Sequence, residues 1–357
     1  MDIFSVFTLC GGLAFFLYGM TTMSKSLEKM AGGKLELLLK KMTANPFVSL
    51  ALGTIITMAI QSSSATTVMI VGLVNSGIMD FSQTLHVIFG ANIGTTITAW
   101  ILSLAGIESD AVWMQMLKPK NFSLIFAMVG VFMTMSCKND RKRSVGAVLV
   151  GFAVLIFGMD LMSDAMSPLA DSPAFAQLMT KFNQHLVGLA VGTVVTAVIQ
   201  SSSASVGMLQ ALSLTGGISC GMAIPIIMGQ NIGTCVTAMI SSIGANTQAK
   251  RVAVMHVSIN VLGTLIWLPL LTLTNAIFHF AFMNQTVTPF TIAIFHSIFN
   301  ILTTAILMPF SKYILKLAVW VVKDKKTAEQ SGELTDVPFL DERLLSTPSV
   351  AIQEGNN

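Results

Sequence analysis

Two hexapeptides hold the densest chemistry in an otherwise apolar chain. Ile60-Gln61-Ser62-Ser63-Ser64-Ala65 and Ile199-Gln200-Ser201-Ser202-Ser203-Ala204 are identical. Four adjacent polar side chains cost free energy in hydrocarbon unless they satisfy one another or meet a ligand. One Ser triplet alone reads as a helix cap or a close helix contact, since hydroxyls serve both. The same triplet twice, at one register, favours a ligand. Behind each lies a second polar motif, Gly90-Ala91-Asn92-Ile93-Gly94-Thr95-Thr96 and Gly229-Gln230-Asn231-Ile232-Gly233-Thr234-Cys235. Asn and Gly tolerate unusual backbone angles, so Asn-x-Gly-Thr predicts a break in a membrane helix beside protein or a wet cavity. Carbonyls freed at a break, with Asn, Ser and Thr oxygens, are the hard ligands that suit an alkali cation. The starts of half-helices attract anions. No Lys or Arg falls inside an expected span, so a multivalent anion there would need helix ends, hydroxyls and bound cations for neutralisation. That favours obligatory cation coupling.

Other chemistries are poorly supported. Cys10, Cys137, Cys220 and Cys235 have neither metal-ligand nor disulfide-framework spacing and read as packing residues. No HExxH, nucleophile elbow or phosphate-binding loop occurs, so no enzyme and no catalytic residue is expected. No basic stripe interleaved with aromatics points to nucleic acid. Asp160 is the one carboxylate near a span interior. His256 with Asn260 and His296 with Asn300 each sit one helical turn apart, at a spacing of 40. Helix–helix hydrogen bonding and substrate lining or proton handling both fit them.

The elements that must position these motifs are membrane helices. Hydrophobic residues make up 53% of the chain and charged ones 10%, with a mean hydropathy of +0.75, too few charges to cover a soluble surface. Continuous apolar runs argue for an all-α polytopic protein and against a barrel. Spans are expected at Phe4–Met23, Thr84–Leu104, Phe122–Met135, Val145–Leu161, Met222–Ser242, Val252–Thr274 and Phe290–Pro309. Pro46–Gly77 and Leu186–Gly216 flank the two QSSS motifs. Each is long enough for two half-helices, which predicts a re-entrant hairpin with the motif at its bend.

Shifted by 139 positions, the sequence matches itself without a gap: Gly19-Met20 meets Gly158-Met159, Gly53-Thr54 meets Gly192-Thr193, and both polar motifs coincide. Three crossings separate the copies, and a hairpin adds an even number, so the copies should face opposite ways. This predicts an inverted-repeat transporter with two re-entrant helical hairpins and broken transmembrane helices. The expected units are a first inverted repeat over 1–137, a second over 138–274, an additional span over 275–310, a cytoplasmic amphipathic helix over 311–326 and a disordered tail over 327–357. Gly32–Lys41 also reads as a surface helix. Lys25, Lys29, Lys34, Lys40 and Lys41 follow the first span, whereas Asp164 and Asp171 occupy the matching segment of the second copy. The positive-inside rule then sets the N-terminus outside and the C-terminus in the cytoplasm, with Ile3–Met23 kept as a span.

Paired QSSS motifs in an inverted duplication, each followed by an N-x-G-T span, resemble the sodium/phosphate cotransporters of the type II family and their bacterial relatives. The likeness runs from about Phe4 to Pro309. It implies a multi-pass cell (inner) membrane protein carrying out sodium-coupled symport of inorganic phosphate by alternating access. Sodium would be the coupling ion and no other cofactor is implied. The site it implies is Gln61, Ser62, Ser63, Ser64, Gln200, Ser201, Ser202 and Ser203, joined by Thr66, Ser205, Asn92, Thr95, Asn231 and Thr234, with phosphate and sodium sharing these residues. The PhoU-like domain of some bacterial relatives and the cysteine-bearing loop of animal members are not expected here. The residues alone also accommodate a sodium-coupled carrier of another oxyanion or a dicarboxylate, or a passive anion channel. Partners are phosphate, sodium and the bilayer, with homo-oligomer formation left open.

Overall fold

The computed structural model describes residues 3–31, 45–104, 119–170 and 185–324. They form α1 Ile3–Ala31, α2 Pro46–Ile60, α3 Ser63–Asn75, α4 Phe81–Ser103, α5 Pro119–Ser136, α6 Asp140–Ala170, α7 His185–Ile199, α8 Ser202–Ser213, α9 Cys220–Ser241, α10 Thr247–Phe278, α11 Pro289–Leu307 and α12 Ser311–Val321. Among the described residues, six segments are long and apolar enough to cross a bilayer: Ile3–Ala31, Phe81–Ser103, Asp140–Met166, Cys220–Ser241, Thr247–Phe278 and Pro289–Val321. The protein is an all-α, multi-pass membrane protein. The expected span at Phe122–Met135 exists as the body of α5, but its apolar run, Asn121–Ser136, falls short of the others. Ser311–Val322 is realised as α12. Gly32–Lys41 and the tail from Thr327 lie outside the described residues.

The short helices have legible ends. Asn45 caps α2 with its side-chain oxygen on the N–H groups of Phe47 and Val48, at 3.0 and 3.4 Å, and Pro46 takes the first helical position, where no N–H is needed. α2 holds 15 residues and α3 holds 13. At about 1.5 Å per residue each arm reaches roughly 20 Å, less than the ~30 Å hydrocarbon core. Asn246, the cap of α10, ties down the base of this hairpin: its backbone N–H donates to Asn75 Oδ1 at 2.8 Å and its amide to the Asn75 carbonyl at 2.9 Å. Arg251, one turn further along α10, is 3% exposed. It donates to the Val322 carbonyl, pairs with Asp324 at 3.0 Å and lies over the Phe81 ring, fastening the end of α12 to the start of α4.

The 139-residue offset reappears in the backbone. α2, α3 and α4 begin 139 residues before α7, α8 and α9. The left-handed residues repeat too: Gln61 and Gln200 both have φ 59°, and Gly77 and Gly216 have φ 72° and 75°. α1 packs along α6 through glycines. A Cβ on Gly12 would lie 2.9 Å from the Gly158 carbonyl oxygen, and one on Gly151 would lie 2.8 Å from that of Gly19. Gly12 and Gly151 are repeat mates, as are Gly19 and Gly158, so each contact has a counterpart with the roles exchanged. Gly12 faces Gly158 while Gly19 faces Gly151, so these helices run antiparallel. A two-fold axis between them relates the copies approximately, by the logic of an isologous interface.

The same axis accounts for the spacing of 40. α10 packs along α9, and α11 along α4. Gly263 of α10 lies directly against Thr303 of α11, its own mate at that spacing. α10 and α11 are thus a second related pair, threaded between the copies. α5 instead packs along α6, with Phe122 stacked on Phe152 at 5.9 Å.

The expected break at Asn-x-Gly-Thr does not occur. α4 runs unbroken through Asn92–Thr95, and α9 through Asn231–Thr234. The glycines serve proximity instead of bending. A Cβ on Gly90 would overlap the Leu50 carbonyl oxygen, one on Gly53 the Val87 carbonyl, and one on Gly94 would sit 2.7 Å from the Thr54 carbonyl. Gly192, Gly229 and Gly233 repeat this between α7 and α9. Close backbone approach through small residues is the usual packing solution in a membrane.

Gly90→Ala and Gly229→Ala should each destabilise the protein by about 3 kcal/mol or more, because backbone has to move. Gly72→Ala, where nothing lies within 4 Å of the added carbon, should stabilise by up to about 1 kcal/mol. Thermal unfolding in detergent measures all three.

Candidate functional site

The QSSS motifs are the bends of two hairpins, α2–α3 and α7–α8. α2 ends because Gln61 turns into the left-handed region (φ 59°, ψ 28°) with its N–H still on the Thr57 carbonyl at 2.7 Å. Ser62 is extended (φ −148°) and caps α3: its Oγ accepts from the Ala65 N–H at 3.1 Å. The second bend repeats this. Gln200 N–H reaches the Thr196 carbonyl at 2.7 Å, and Ser201 Oγ accepts from Ala204 at 3.3 Å. The first serine of each triplet is therefore spent on capping. Ser63 and Ser202, both 4% exposed, with Ser203 at 6%, fill the first buried turn beyond. Thr57 Oγ1 donates to Thr66 Oγ1 at 3.0 Å, and Thr196 Oγ1 to Ser205 Oγ at 2.8 Å, clamping the two arms just behind each bend.

The bends meet. Ser64 Oγ of the first hairpin donates to the Gln200 carbonyl of the second at 3.3 Å. The N-termini of α3 and α8 therefore start from one place. A helix start offers N–H groups that have no acceptor within the helix, and each carries roughly half a positive charge. Serine hydroxyls both donate and accept, so the same spot presents donors to an anion and oxygens to a cation. No group of three or more His, Cys, Asp or Glu side chains suited to a metal ion occurs among the described residues, so a cation here would be held by hydroxyl and carbonyl oxygens.

The helices behind the bends divide the remaining expected residues. Asn92 donates to Asn260 Oδ1 at 3.2 Å. Asn231 bonds back to the Ile227 carbonyl of its own helix at 2.9 Å. Thr95 and Thr234 hydroxyls donate to the Ala91 and Gln230 carbonyls one turn earlier. These four side chains are buried in α4 and α9 and bonded within the protein. His256 and His296 make no helix–helix bond through Nδ1; their carbonyls instead accept from Asn260 and Asn300, at 3.0 and 2.8 Å.

The copies differ at their glutamines. Gln61 is 7% exposed: its amide donates to the Met58 carbonyl at 2.6 Å, and its Oε1 accepts from Thr98 Oγ1 of α4 at 2.9 Å. Gln200 is exposed, and Thr237, the mate of Thr98, donates to its own helix at Thr234. Three residues beyond the expected set complete the surroundings. Thr98 holds Gln61. Gln210 donates to the carbonyls of both Ala99 and Pro289, and Gln230 to that of Ser205. The available signal was polarity out of register, since copy one has Val71 and Ala91 where copy two has Gln210 and Gln230.

A sequence profile described as Na+/Pi-cotransporter matches the chain twice, over residues 15–164 and 154–291, with starts separated by the repeat offset. The uncharacterized protein YqeW of Bacillus subtilis is 30% identical over 310 residues, which cover 85% of this chain and 94% of that one. YjbB of Salmonella typhimurium, named as a candidate inorganic phosphate export protein, is 22% identical over 346 residues; 96% of this chain matches 60% of that relative's length. Sodium-dependent phosphate transport protein 2A of Rattus norvegicus is 33% identical over 142 residues, 37% of this chain and 22% of that one. No solved structure matches the chain.

A non-glycine residue held left-handed costs about 1 kcal/mol or more. Gln200→Gly should therefore stabilise the fold by about 1 kcal/mol, because no side-chain bond is lost. In Gln61→Gly the same relief is outweighed by loss of the Thr98 and Met58 bonds at about 1 kcal/mol each, so the variant should be destabilised by about 1 kcal/mol. Parallel melting curves of the two variants check the difference.

Proposed function

This chain belongs to the Na+/Pi-cotransporter family, and on that premise we propose that it is a secondary transporter of inorganic phosphate driven by sodium. The observation that carries the reading is the meeting of the two bends at Ser64 and Gln200. Phosphate would bind between the first turns of α3 and α8, against Gln61, Ser62, Ser63, Ser64, Gln200, Ser201, Ser202 and Ser203. Thr66 and Ser205 steady those turns from behind, and Asn92, Thr95, Asn231 and Thr234 shape the helices that back them. Relatives named for sodium-dependent phosphate transport and for phosphate export support phosphate as the cargo. Direction then follows the gradients imposed.

Charge supports sodium coupling. Phosphate near neutral pH is a mixture of the singly and doubly charged ions, and two helix starts supply about one positive charge between them. The buried cation among the described residues, Arg251, is already paired with Asp324. The doubly charged ion would leave about one charge, which a bound sodium at Gln, Ser and Thr oxygens would supply.

Alternating access would come from the two halves, 1–137 and 138–274, inserted with opposite orientation around the shared axis. The hairpins would be re-entrant, each entering and leaving on one face. The α10–α11 pair would join the second half to the 275–310 span, with 311–326 at the cytoplasmic surface. Lys138, Arg141, Lys142 and Arg143 and the base of α10 would face the cytoplasm, with the N-terminus outside. A multi-pass position in the cell membrane follows from this reading.

Radiolabelled phosphate uptake into proteoliposomes should require an inward sodium gradient and stop when choline replaces sodium. Flux indifferent to that exchange would remove the coupling. Ser62→Leu and Ser201→Leu should each abolish uptake while leaving insertion intact, and competition by arsenate, sulfate and succinate ranks the cargo.

A further inference from the structure

Two pairs of equivalent hydrogen bonds are formed in one half of the molecule and missing in the other. Gln61 is held by Thr98, whereas their mates Gln200 and Thr237 are apart. Asn92 is held by Asn260, whereas Asn231 is turned onto its own helix. The mate of Asn260 across the axis is Asn300, at the spacing of 40. Each of these two bonds its own histidine's carbonyl in the same way. A carbonyl can only accept, so one amide hydrogen of Asn260 is committed there; the other goes to Cys235 Sγ of α9 at 3.3 Å, and its oxygen faces Asn92. The Asn300 nitrogen is likewise committed to the His296 carbonyl. The helix pairing that brings Asn92 to Asn260, α4 on α10, has its counterpart in α9 on α11.

We infer that Thr98, Thr237, Asn260 and Asn300 are positioning residues for transport, working as two alternating sets. In the arrangement described here Thr98 and Asn260 hold α4 and the first bend closed, and the second bend is open at Gln200. In the opposite arrangement Thr237 would hold Gln200, Asn300 would hold Asn231, and the first pair would part. An approximate two-fold axis makes the two arrangements near-equivalent in contacts, so a few hydrogen bonds suffice to set their populations. The same four residues would thus decide which bend is exposed. This rests on the transport reading, and its test needs no substrate.

Hydrogen–deuterium exchange of the full chain in lipid nanodiscs, without phosphate, reads both bends at once. The peptides IQSSSA at 60–65 and 199–204 are identical, so their intrinsic rates match and differences report the fold. The wild-type second bend should exchange faster. Thr98→Val and Asn260→Leu should each move the ratio of the two rates toward the first bend by roughly fivefold, about one buried hydrogen bond. The second bend should gain protection as the first loses it, and Thr98→Ser should restore the original ratio. Thr237→Val and Asn300→Leu should leave the bias in place or strengthen it. A first bend that loosens while the second gains nothing would mean a local structural role and would overturn the inference, as would Thr237→Val acting like Thr98→Val. Thr98→Val is nearly isosteric, so it folds where the asparagine variants fail. Reciprocal exchange without phosphate flux would keep the alternation and discard the cargo; sodium-dependent flux without reciprocal exchange would do the reverse.

Discussion

Hydrocarbon leaves a polar group nothing to bond with except the protein itself, and the interior of this molecule is organised around that demand. The bends at Gln61 and Gln200 interrupt strongly apolar helices, and open backbone is hardest to satisfy in hydrocarbon. Each bend solves the problem locally: glutamine turns the chain, the first serine caps the next helix, and a hydroxyl pair, Thr57–Thr66 or Thr196–Ser205, clamps the arms. Once those needs are met, what remains unspent is concentrated where Ser64 meets Gln200.

Glycine makes that arrangement tight. Gly53, Gly90 and Gly94 let α2 lie backbone-to-backbone on α4, and Gly192, Gly229 and Gly233 do so for α7 on α9. Each hairpin is thereby joined to the longer helix that follows its bend; α4 contributes Thr98 to the bonding behind the first bend, and α9 contributes Gln230 behind the second. Apolar packing then seats the first unit: Ile56, Ile60 and Ile70 share a core with Leu85, Ile88, Met255 and Ile259. The second unit packs against the α1–α6 crossing, where Ala204 and Ala211 join Phe16, Leu155 and Met159.

Much of this could be read from the residues. The duplication, the bends at QSSS and the helical class followed from repeated polar residues in an apolar chain. Asn-x-Gly-Thr was misread as a break because Gly permits two quite different things, an unusual backbone angle and a missing side chain. At Gly90 and Gly94 the second applies, and only knowing that Leu50 and Thr54 lie opposite decides it. The spacing of 40 between His256-x3-Asn260 and His296-x3-Asn300 was visible, but its meaning was not. A short period inside one copy looks unrelated to a long one until the helices are seen to straddle the same axis. Thr98 was invisible for a simpler reason: single hydroxyls in spans usually bond their own helix, and nothing in sequence marks the ones that reach across.

One position has an unusual standing because it coincides with its own image. Gly263 and Thr303 touch at the symmetry axis, so pressure applied there would be felt equally whichever half were shut. Were the halves to exchange as proposed above, crowding at that seam would change the barrier between the two poses more than their balance. Two separate dials would then exist: tempo, adjusted along the central seam, and preference, adjusted by whatever breaks the mirror on either flank.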